Sequence, residues 1–259
     1  MRALADVAAL AELLRSAQPC VVLTGAGVST ESGIPDFRSP TGIWAQYDPM
    51  EYATIEAFES DPEKVWGFYT LRYRALTEAQ PNDAHLALAE LERRGIVSAV
   101  ITQNIDLLHE RAGSHDVVEV HGSIRECVCL ACGARYGLAG VLRMLDGAAV
   151  PRCTCGQVLK PGVVMFGELL EAEAIDRAFA LAREAKLLLV VGSTLEVQPV
   201  AGLPWETLTQ GGEVAIVNLG PTAFDGRASL KVDGKAGEVL RAVVHQLRVA
   251  ESERRGDSS

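Results

Sequence analysis

Two glycines directly after an apolar run form the first candidate for ligand binding. The run Cys20–Thr24 has the composition of a buried strand, and Gly25-Ala26-Gly27 follows it at once. Nucleotide-binding α/β folds begin in this way, because the glycine backbone can approach a pyrophosphate and offer it amide groups. A plain strand–helix turn would look the same. The pyrophosphate interpretation gains from Asp36-Phe37-Arg38, a charged pair around an aromatic residue in the proline-marked loop downstream.

Three polar side chains follow the next predicted strand, Ile96–Thr102. Gln103, Asn104 and Asp106 stand at its carboxyl end, where α/β folds place their ligands. Together they can hydrogen-bond ribose hydroxyls and a carboxamide. Asp106 could instead cap a helix, although capping would not explain Gln103 and Asn104.

One histidine occupies a position suited to catalysis. His121 leaves the predicted strand Val117–Val120 and enters a turn at Gly122. An imidazole placed there can reach a cleft and act as a base near neutral pH, although single histidines are more often structural. The remaining histidines have no polar set around them in the sequence, and we interpret them as structural: His85, His109, His115 and His245.

Five of the six cysteines are clustered between Cys127 and Cys155. Two cysteine pairs about 20 residues apart supply four thiolates, which suits a closed, structural zinc site. Cys127 and Cys129 compete for one ligand position, and the two-residue spacer before Cys132 favours Cys129. The predicted ligands of one Zn²⁺ are therefore Cys129, Cys132, Cys153 and Cys155, with a Cys153–Cys155 spacer one residue short of the usual knuckle. Cys20 is interpreted as a core residue.

The elements that position these residues alternate between strand and helix. The sequence predicts helices over 3–17, 83–94, 106–112, 171–185, 200–210 and 235–248, and a helix after the first glycines. It predicts strands over 20–24, 96–102, 117–120, 187–191, 213–218 and 229–232. Strands that are apolar on every residue and separated by helices indicate a parallel sheet covered on both faces. The fold class is a doubly wound α/β domain.

Two segments interrupt this alternation and predict a smaller domain. Residues 37–81 are rich in aromatic residues and suit a helical module, and residues 123–161 hold the clustered cysteines. The main domain is then discontinuous and comprises 1–36, 82–122 and 162–250. The polar stretch 251–259 is expected to be a flexible tail.

The composition limits the classes of partner. The chain has 259 residues, 48% of them hydrophobic, and a net charge of −10, which argues against nucleic-acid binding and favours a basic, lysine-bearing protein. The first residues lack the apolar core of a signal peptide, and no window approaches the roughly 20 apolar residues of a membrane span. We expect no membrane association, a cytoplasmic location and a monomer.

Taken together, these segments resemble the sirtuin family. The similar pieces occur in the family's order between about residue 18 and residue 245: Gly25-Ala-Gly-Val-Ser, Gly33-Ile-Pro-Asp-Phe-Arg38, Thr102-Gln-Asn-Ile-Asp106, His121-Gly122, the four cysteines, Phe166-Gly-Glu168, Gly192-Ser-Thr194 and Val217-Asn-Leu-Gly220. The resemblance implies a Rossmann-like NAD-binding domain and a small domain built from the helical and zinc modules. NAD and an acylated lysine of a protein substrate would meet between the two domains.

The resemblance also implies roles for individual residues. Arg38 and Phe37 would lie over the reacting ribose, Gln103 would hold ribose hydroxyls, and Asn104 would help to position the nicotinamide end. The full set implied for NAD is Gly25, Ala26, Gly27, Asp36, Phe37, Arg38, Gln103, Asn104, Ile105, Asp106, Gly192, Ser193, Thr194, Asn218, Leu219 and Gly220. His121, Asn104 and Arg38 would be catalytic, with His121 as the general base. Val164, Phe166, Gly167 and Glu196 would bind the substrate, although their spacing alone favours ordinary sheet.

The activity implied is NAD-dependent deacylation of protein lysines, with release of nicotinamide and O-acyl-ADP-ribose. Tyr69 and Arg72 resemble a Tyr-x-x-Arg motif of one sirtuin class, and residues at i and i+3 share a helix face. Arg72 could bind the carboxylate of a succinyl- or malonyl-lysine, unless the helix is merely amphipathic and its arginine solvated. Two other functions stay open: a protein mono-ADP-ribosyltransferase and a non-catalytic NAD-binding regulator.

Overall fold

A computed structural model describes residues 2–256, and the side chains of residues 4–253. Its main element is a six-stranded parallel sheet in the order β3-β2-β1-β7-β8-β9. The strands are β1 (Cys20–Thr24), β2 (Val97–Thr102), β3 (Val117–Glu119), β7 (Leu187–Val191), β8 (Glu213–Asn218) and β9 (Leu230–Asp233). The predicted doubly wound sheet is confirmed.

Helices cover both faces of this sheet. The helices of the main domain are α1 (Arg2–Ser16), α5 (Asp83–Arg93), α6 (Leu108–Ala112), α8 (Ala172–Glu184), α9 (Leu203–Thr209) and α10 (Ala236–Gly256). Apolar residues of α1, α5 and α10 pack on one face, and those of α8 and α9 pack on the other. Because both faces are covered, β1 and β7 are buried at every residue.

The register of the strands sets where the site lies. Thr24 at the end of β1 pairs with Thr102 of β2 and with Val191 of β7. Val191 in turn pairs with Val217 of β8. Four strands therefore end at one level, and the loops that follow them share one edge of the sheet.

A smaller domain stands over this edge. It contains α2 (Pro49–Tyr52), α3 (Ile55–Ser60), α4 (Pro62–Glu78) and α7 (Leu138–Gly147), together with an antiparallel sheet in the order β5-β4-β6. The strands of that sheet are β4 (Gly122–Val128), β5 (Arg135–Gly137) and β6 (Lys160–Val163). The helical and cysteine-bearing segments share one apolar core, and the Trp66 indole donates a 2.7 Å hydrogen bond to the Leu159 carbonyl.

Three predicted elements differ from the structure. The segment after the first glycines is a 3₁₀ helix, Ala26–Ser32, and the helix predicted over 200–210 is divided into a 3₁₀ turn, Val200–Gly202, and α9. The predicted flexible tail is helical as far as Gly256, because α10 continues and Glu251 pairs with Arg94. Residues 257–259 of that prediction lie outside the described residues.

None of the helices within residues 2–256 combines the length and the apolar character that crossing a lipid bilayer requires.

Candidate active site

A cleft of about 1460 Å³ runs between the edge of the large sheet and the small domain. Small-molecule sites usually measure about 300–1,000 Å³, so this cleft has room for a dinucleotide and a second reactant. Every predicted NAD- or substrate-binding residue lines it except Gly220. Gly220 lies in the turn behind Asn218, where its amide donates to Asp233 and its carbonyl accepts from Lys231.

The two glycine turns pack backbone against backbone at the base of the cleft. The Gly27 amide donates to the Gly192 carbonyl at 2.9 Å. A Cβ on Gly192, whose φ is +62°, would lie 2.3 Å from the Val28 nitrogen, and a Cβ on Gly27 would lie 2.8 Å from the Gly192 Cα. Only glycine allows this approach, which brings the loops after β1 and β7 together beneath the cleft.

Behind the cleft lies a buried polar network centred on Ser29. The Asn104 amide nitrogen donates to Ser29 Oγ at 3.1 Å and to the Gly25 carbonyl at 3.2 Å. Ser29 Oγ in turn donates to Asp106 Oδ2 at 2.7 Å, and Asp106 Oδ1 accepts from the Leu108 amide. Burial raises the pKa of Asp106. Both amide hydrogens of Asn104 are thus engaged, and its oxygen is left for a ligand in the cleft.

His85 belongs to this network as a structural residue, with polar neighbours that its sequence context does not indicate. Its Nδ1 accepts from the Asn82 amide, and Nε2 therefore carries the proton and faces Ser29 Oγ at 3.4 Å. The imidazole is fully buried, and burial lowers its pKa to about 4.

His109 is likewise structural, with polar neighbours that its sequence context does not indicate. Its Nε2 lies 2.9 Å from Thr24 Oγ1, which donates to Thr102 Oγ1, and Thr102 Oγ1 accepts from the Asn104 amide. Its ring contacts that of His85 with the centroids 4.9 Å apart, and burial lowers its pKa to about 3. The two histidines are neutral supports of the loop that carries Asn104.

His121 lies on the cleft wall with one nitrogen fixed. Its Nδ1 is 3.2 Å from the Gln103 carbonyl oxygen. Because a carbonyl only accepts, Nδ1 must carry the proton and Nε2 holds the free lone pair. Burial lowers the pKa of His121, so the neutral base is the form present at pH 7.

Gln103 and the 36–38 loop join opposite sides of the cleft. The Gln103 amide donates to the Thr24 carbonyl and to Ser193 Oγ, at 3.2 and 2.9 Å. Asp36 Oδ1 accepts from the Arg38 and Ser39 amides and so shapes its own loop. The Arg38 guanidinium reaches across to Glu196 at 3.1 Å, and both side chains are partly exposed.

Tyr69 and Arg72 line the cleft from α4. Tyr69 is 5% exposed, and burial raises its pKa to about 12. The Arg72 guanidinium carbon lies 5.0 Å from the Phe37 ring centroid and 5.4 Å from that of Phe68. Burial lowers the pKa of Arg72, and no carboxylate among the described side chains forms an ion pair with it. A half-buried cation without an anion indicates a place for one.

The predicted substrate segment 163–168 is bonded to the protein along one side. The Val164 amide donates to the His121 carbonyl, and the Phe166 amide donates to the Ala53 carbonyl. The Phe166 carbonyl accepts from the Ile55 amide. This segment therefore follows on from β6, past His121, and its residues line the cleft.

The four predicted zinc ligands are grouped at the far end of the small domain. Their sulfur atoms all lie within 4.8 Å of one another, with Cys129–Cys155 and Cys132–Cys153 distances of 3.5 Å. Tetrahedral zinc–thiolate geometry requires sulfurs about 3.8 Å apart, so the set is positioned to bind one structural metal ion. The short Cys153–Cys155 spacer does not prevent this. Cys127 lies elsewhere, 3.5 Å from the Tyr73 hydroxyl.

Comparison with known proteins agrees with this geometry. The profile of the Sir2 family matches residues 25–199. The NAD-dependent protein deacetylase of Saccharolobus solfataricus is 47% identical over 240 residues, which cover 92% of this chain and 96% of the relative. The NAD-dependent protein deacylase of Pyrococcus furiosus is 45% identical over 242 residues, with coverage of 92% and 97%.

Solved structures of Sir2 proteins are also similar to this chain. A Sir2 protein with a p53 peptide and NAD+ superposes with a TM-score of 0.86 at 41% identity and covers 93% of this chain and 98% of its own. A mutant Sir2 homologue in complex with ADP-ribose has a TM-score of 0.89 at 42% identity, with coverage of 94% and 97%. With its family profile over more than half of its length and relatives that align along nearly all of it, this chain belongs to the Sir2 family.

Proposed function

We propose that this chain is an NAD-dependent protein-lysine deacylase. The observation that carries the proposal is His121, a half-buried neutral imidazole whose Nδ1 is fixed on the Gln103 carbonyl and whose Nε2 is left as a base in the cleft. The names of relatives at 45–47% identity support the same activity. NAD is a consumed reactant, and the four cysteines hold a metal ion away from the reaction.

The proposed reaction is the one that the family resemblance implies. The acyl oxygen of the substrate lysine attacks the anomeric carbon of the nicotinamide ribose, and nicotinamide leaves with the electron pair of the broken C–N bond. His121 Nε2 takes a proton from a ribose hydroxyl, which attacks the acyl carbon. Water completes the release of free lysine and O-acyl-ADP-ribose. Asn104 and Asp106, which are 9% and 4% exposed, keep their dipoles fixed near the reacting ribose.

Arg72 supports a preference for acyl groups that end in a carboxylate. Its half-buried guanidinium lies against two aromatic rings, with Tyr69 one helical turn away. A succinyl or malonyl group would supply the missing anion, and arginine binds a carboxylate through two parallel hydrogen bonds. The enzyme would then remove acidic acyl groups as well as acetyl groups.

The substrate main chain would add as a strand between the 163–168 segment and the loop after β7. Val164, Phe166 and Gly167 would supply one side and Glu196 the other. Glu196 is 53% exposed and could also contact basic residues beside the acyl-lysine. A cytoplasmic location is supported by cysteines that are grouped for a metal rather than paired in disulfides.

A panel of acetyl-, malonyl- and succinyl-lysine peptides with NAD tests the proposal by mass spectrometry. We expect free lysine and O-acyl-ADP-ribose in equal amounts. A protein or peptide that gains the mass of ADP-ribose would indicate a mono-ADP-ribosyltransferase. Absence of nicotinamide release with every peptide would indicate a non-catalytic NAD-binding regulator.

The acyl preference has its own test in Arg72→Met, which keeps the length of the side chain and removes its charge. Loss of a buried charge-assisted pair should lower kcat/KM for the succinyl peptide by about 10²-fold, with a much smaller effect on the acetyl peptide. Arg74→Met, which removes a solvent-exposed arginine of the same helix, is the control. Equal losses with the two peptides would rule out recognition of the carboxylate by Arg72.

A further inference from the structure

A buried lysine and a half-buried glutamate form an ion pair at the turn that ends the proposed peptide edge. Lys160, the first residue of β6, is 4% exposed, and its Nζ lies 2.9 Å from Glu168 Oε2. The same ammonium donates to the carbonyls of Pro161 and Val163, at 3.1 and 2.8 Å. A lysine ammonium has three donors and no acceptor, so these three bonds satisfy it completely. Such full pairing gives the buried side chain one defined position.

Glu168 connects this ammonium to the turn that carries the peptide edge. Its Oε2 accepts from the Met165 amide at 2.8 Å, and its own amide donates to the Met165 carbonyl at 3.1 Å. Gly167 lies inside this turn with φ +89°, a conformation that glycine adopts without strain. One carboxylate oxygen thus binds both the turn and the strand that leads into it.

The opposite side of the segment is held by other elements. Val164 bonds to the His121 carbonyl, and Phe166 bonds to Ala53 and Ile55. With its inner side fixed in this way, the shape of residues 163–168 depends on the turn that Glu168 closes and on the carbonyls that Lys160 binds.

We infer that Lys160 and Glu168 are positioning residues that hold the 163–168 segment in the shape to which the substrate main chain adds. Neither residue takes part in the chemical steps of the proposed reaction. The inference rests on the proposed deacylase function, because it concerns how that enzyme binds its peptide. It predicts that the pair matters for substrates with an extended main chain more than for the acyl-lysine group itself.

Two variants and two substrates test this inference. Lys160→Met leaves Glu168 unpaired and is expected to lower stability, whereas Glu168→Gln keeps an oxygen for the Met165 amide and serves as the milder variant. The substrates are an acetylated peptide and a single acetyl-lysine blocked at both ends, which has no main chain to extend. Lys64→Met, which breaks a surface pair with Glu51 in the same domain, is the control.

We expect both variants to raise KM for the peptide by about tenfold and to change the single-residue substrate far less. The affinity for ADP-ribose, measured by calorimetry, should stay within about twofold of that of the parent. Equal losses with peptide and single residue, or a fall in melting temperature with no change in peptide KM, would overturn the inference. Peptide binding by fluorescence anisotropy separates this failure from a failure of the proposed function, because it requires no turnover.

Discussion

The imidazole of His121 is oriented by a main-chain carbonyl rather than by a carboxylate. Since the Gln103 carbonyl can only accept, it fixes the proton on Nδ1 and leaves Nε2 as the base. Burial is the main cause of the lowered pKa, and the Gln103 hydrogen bond opposes it in part. The hydrogen bond thus keeps the ring in one tautomer, and burial keeps it uncharged at neutral pH.

The lowered pKa of His121 predicts how turnover depends on pH. Protonation removes the lone pair of Nε2, so kcat/KM for the acetyl peptide should fall only below pH 6.5, the ordinary pKa of histidine from which burial lowers that of His121. The measurement is a pH–rate profile with acetyl-lysine peptide at saturating NAD. An acid limb centred well above pH 6.5 would contradict a buried neutral base.

The lowered pKa values of His85 and His109 predict how the stability of the protein responds to acid. Their folded-state pKa values are about 4 and about 3, both below the ordinary histidine value of 6.5. Below pH 6.5 the unfolded chain therefore binds more protons than the native chain, and the free energy of unfolding falls as pH drops towards 4.

Denaturant unfolding between pH 7 and pH 4 measures this fall. The double variant His85→Asn and His109→Asn should be less stable at pH 7 but lose stability less steeply with acid. A parent and a double variant with the same slope would show that other groups govern the response.

Sequence reasoning could place His121, Asn104 and Asp106 at the ligand edge of the sheet because each follows a strand, and all three line the cleft. It missed His85 and His109 because their partners are distant along the chain: Ser29 is 56 positions from His85, and Thr24 is 85 positions from His109. It missed Lys160 for the same reason, since a lysine in an irregular segment looks solvated until its carbonyl partners are known. A tertiary network of this kind has no signature in local spacing.

At the scale of elements, the strands were predicted more closely than the helices. β1, β7 and β8 have the predicted bounds because each is apolar on both faces and bounded by polar or turn residues. The end of α10 was misplaced because its polar last turns are held by ion pairs with the end of α5, Arg248–Glu90 and Arg94–Glu251. These pairs depend on helix packing, which composition alone does not indicate.

The grouping of four cysteine sulfurs predicts which thiols the small domain requires for metal binding and stability. Cys153→Ser should lose the bound zinc and lower the melting temperature, because a structural zinc site contributes directly to folding. Cys127→Ser is the matched control: this thiol contacts Tyr73, and its loss should leave one zinc per chain. Elemental analysis with thermal unfolding makes the comparison. Zinc retained by the Cys153 variant and lost from the Cys127 variant would reverse the ligand assignment.

At the scale of the whole molecule, two domains place complementary groups across one cleft. The large sheet supplies the glycine turns, Asn104 and His121, and the small domain supplies the half-buried guanidinium of Arg72. The 36–38 loop joins them through the Arg38–Glu196 pair. Both of these side chains are partly exposed, so the pair is worth about 1 kcal/mol or less and can open when ligands enter.

The whole chain carries a net charge of −10. It favours encounter with basic, lysine-rich protein segments, whose own charge is reduced wherever a lysine is acylated. Association with such substrates should therefore weaken as salt concentration rises.

The most direct test of the account compares the parent with His121→Ala in one assay. The measurement is the rate of O-acyl-ADP-ribose formation from acetyl-lysine peptide and NAD, followed by mass spectrometry. Removal of the base should lower this rate by about 10²–10⁴-fold, while the affinity for ADP-ribose is retained. If the variant forms O-acyl-ADP-ribose as fast as the parent, His121 is not the base and the proposed reaction is wrong.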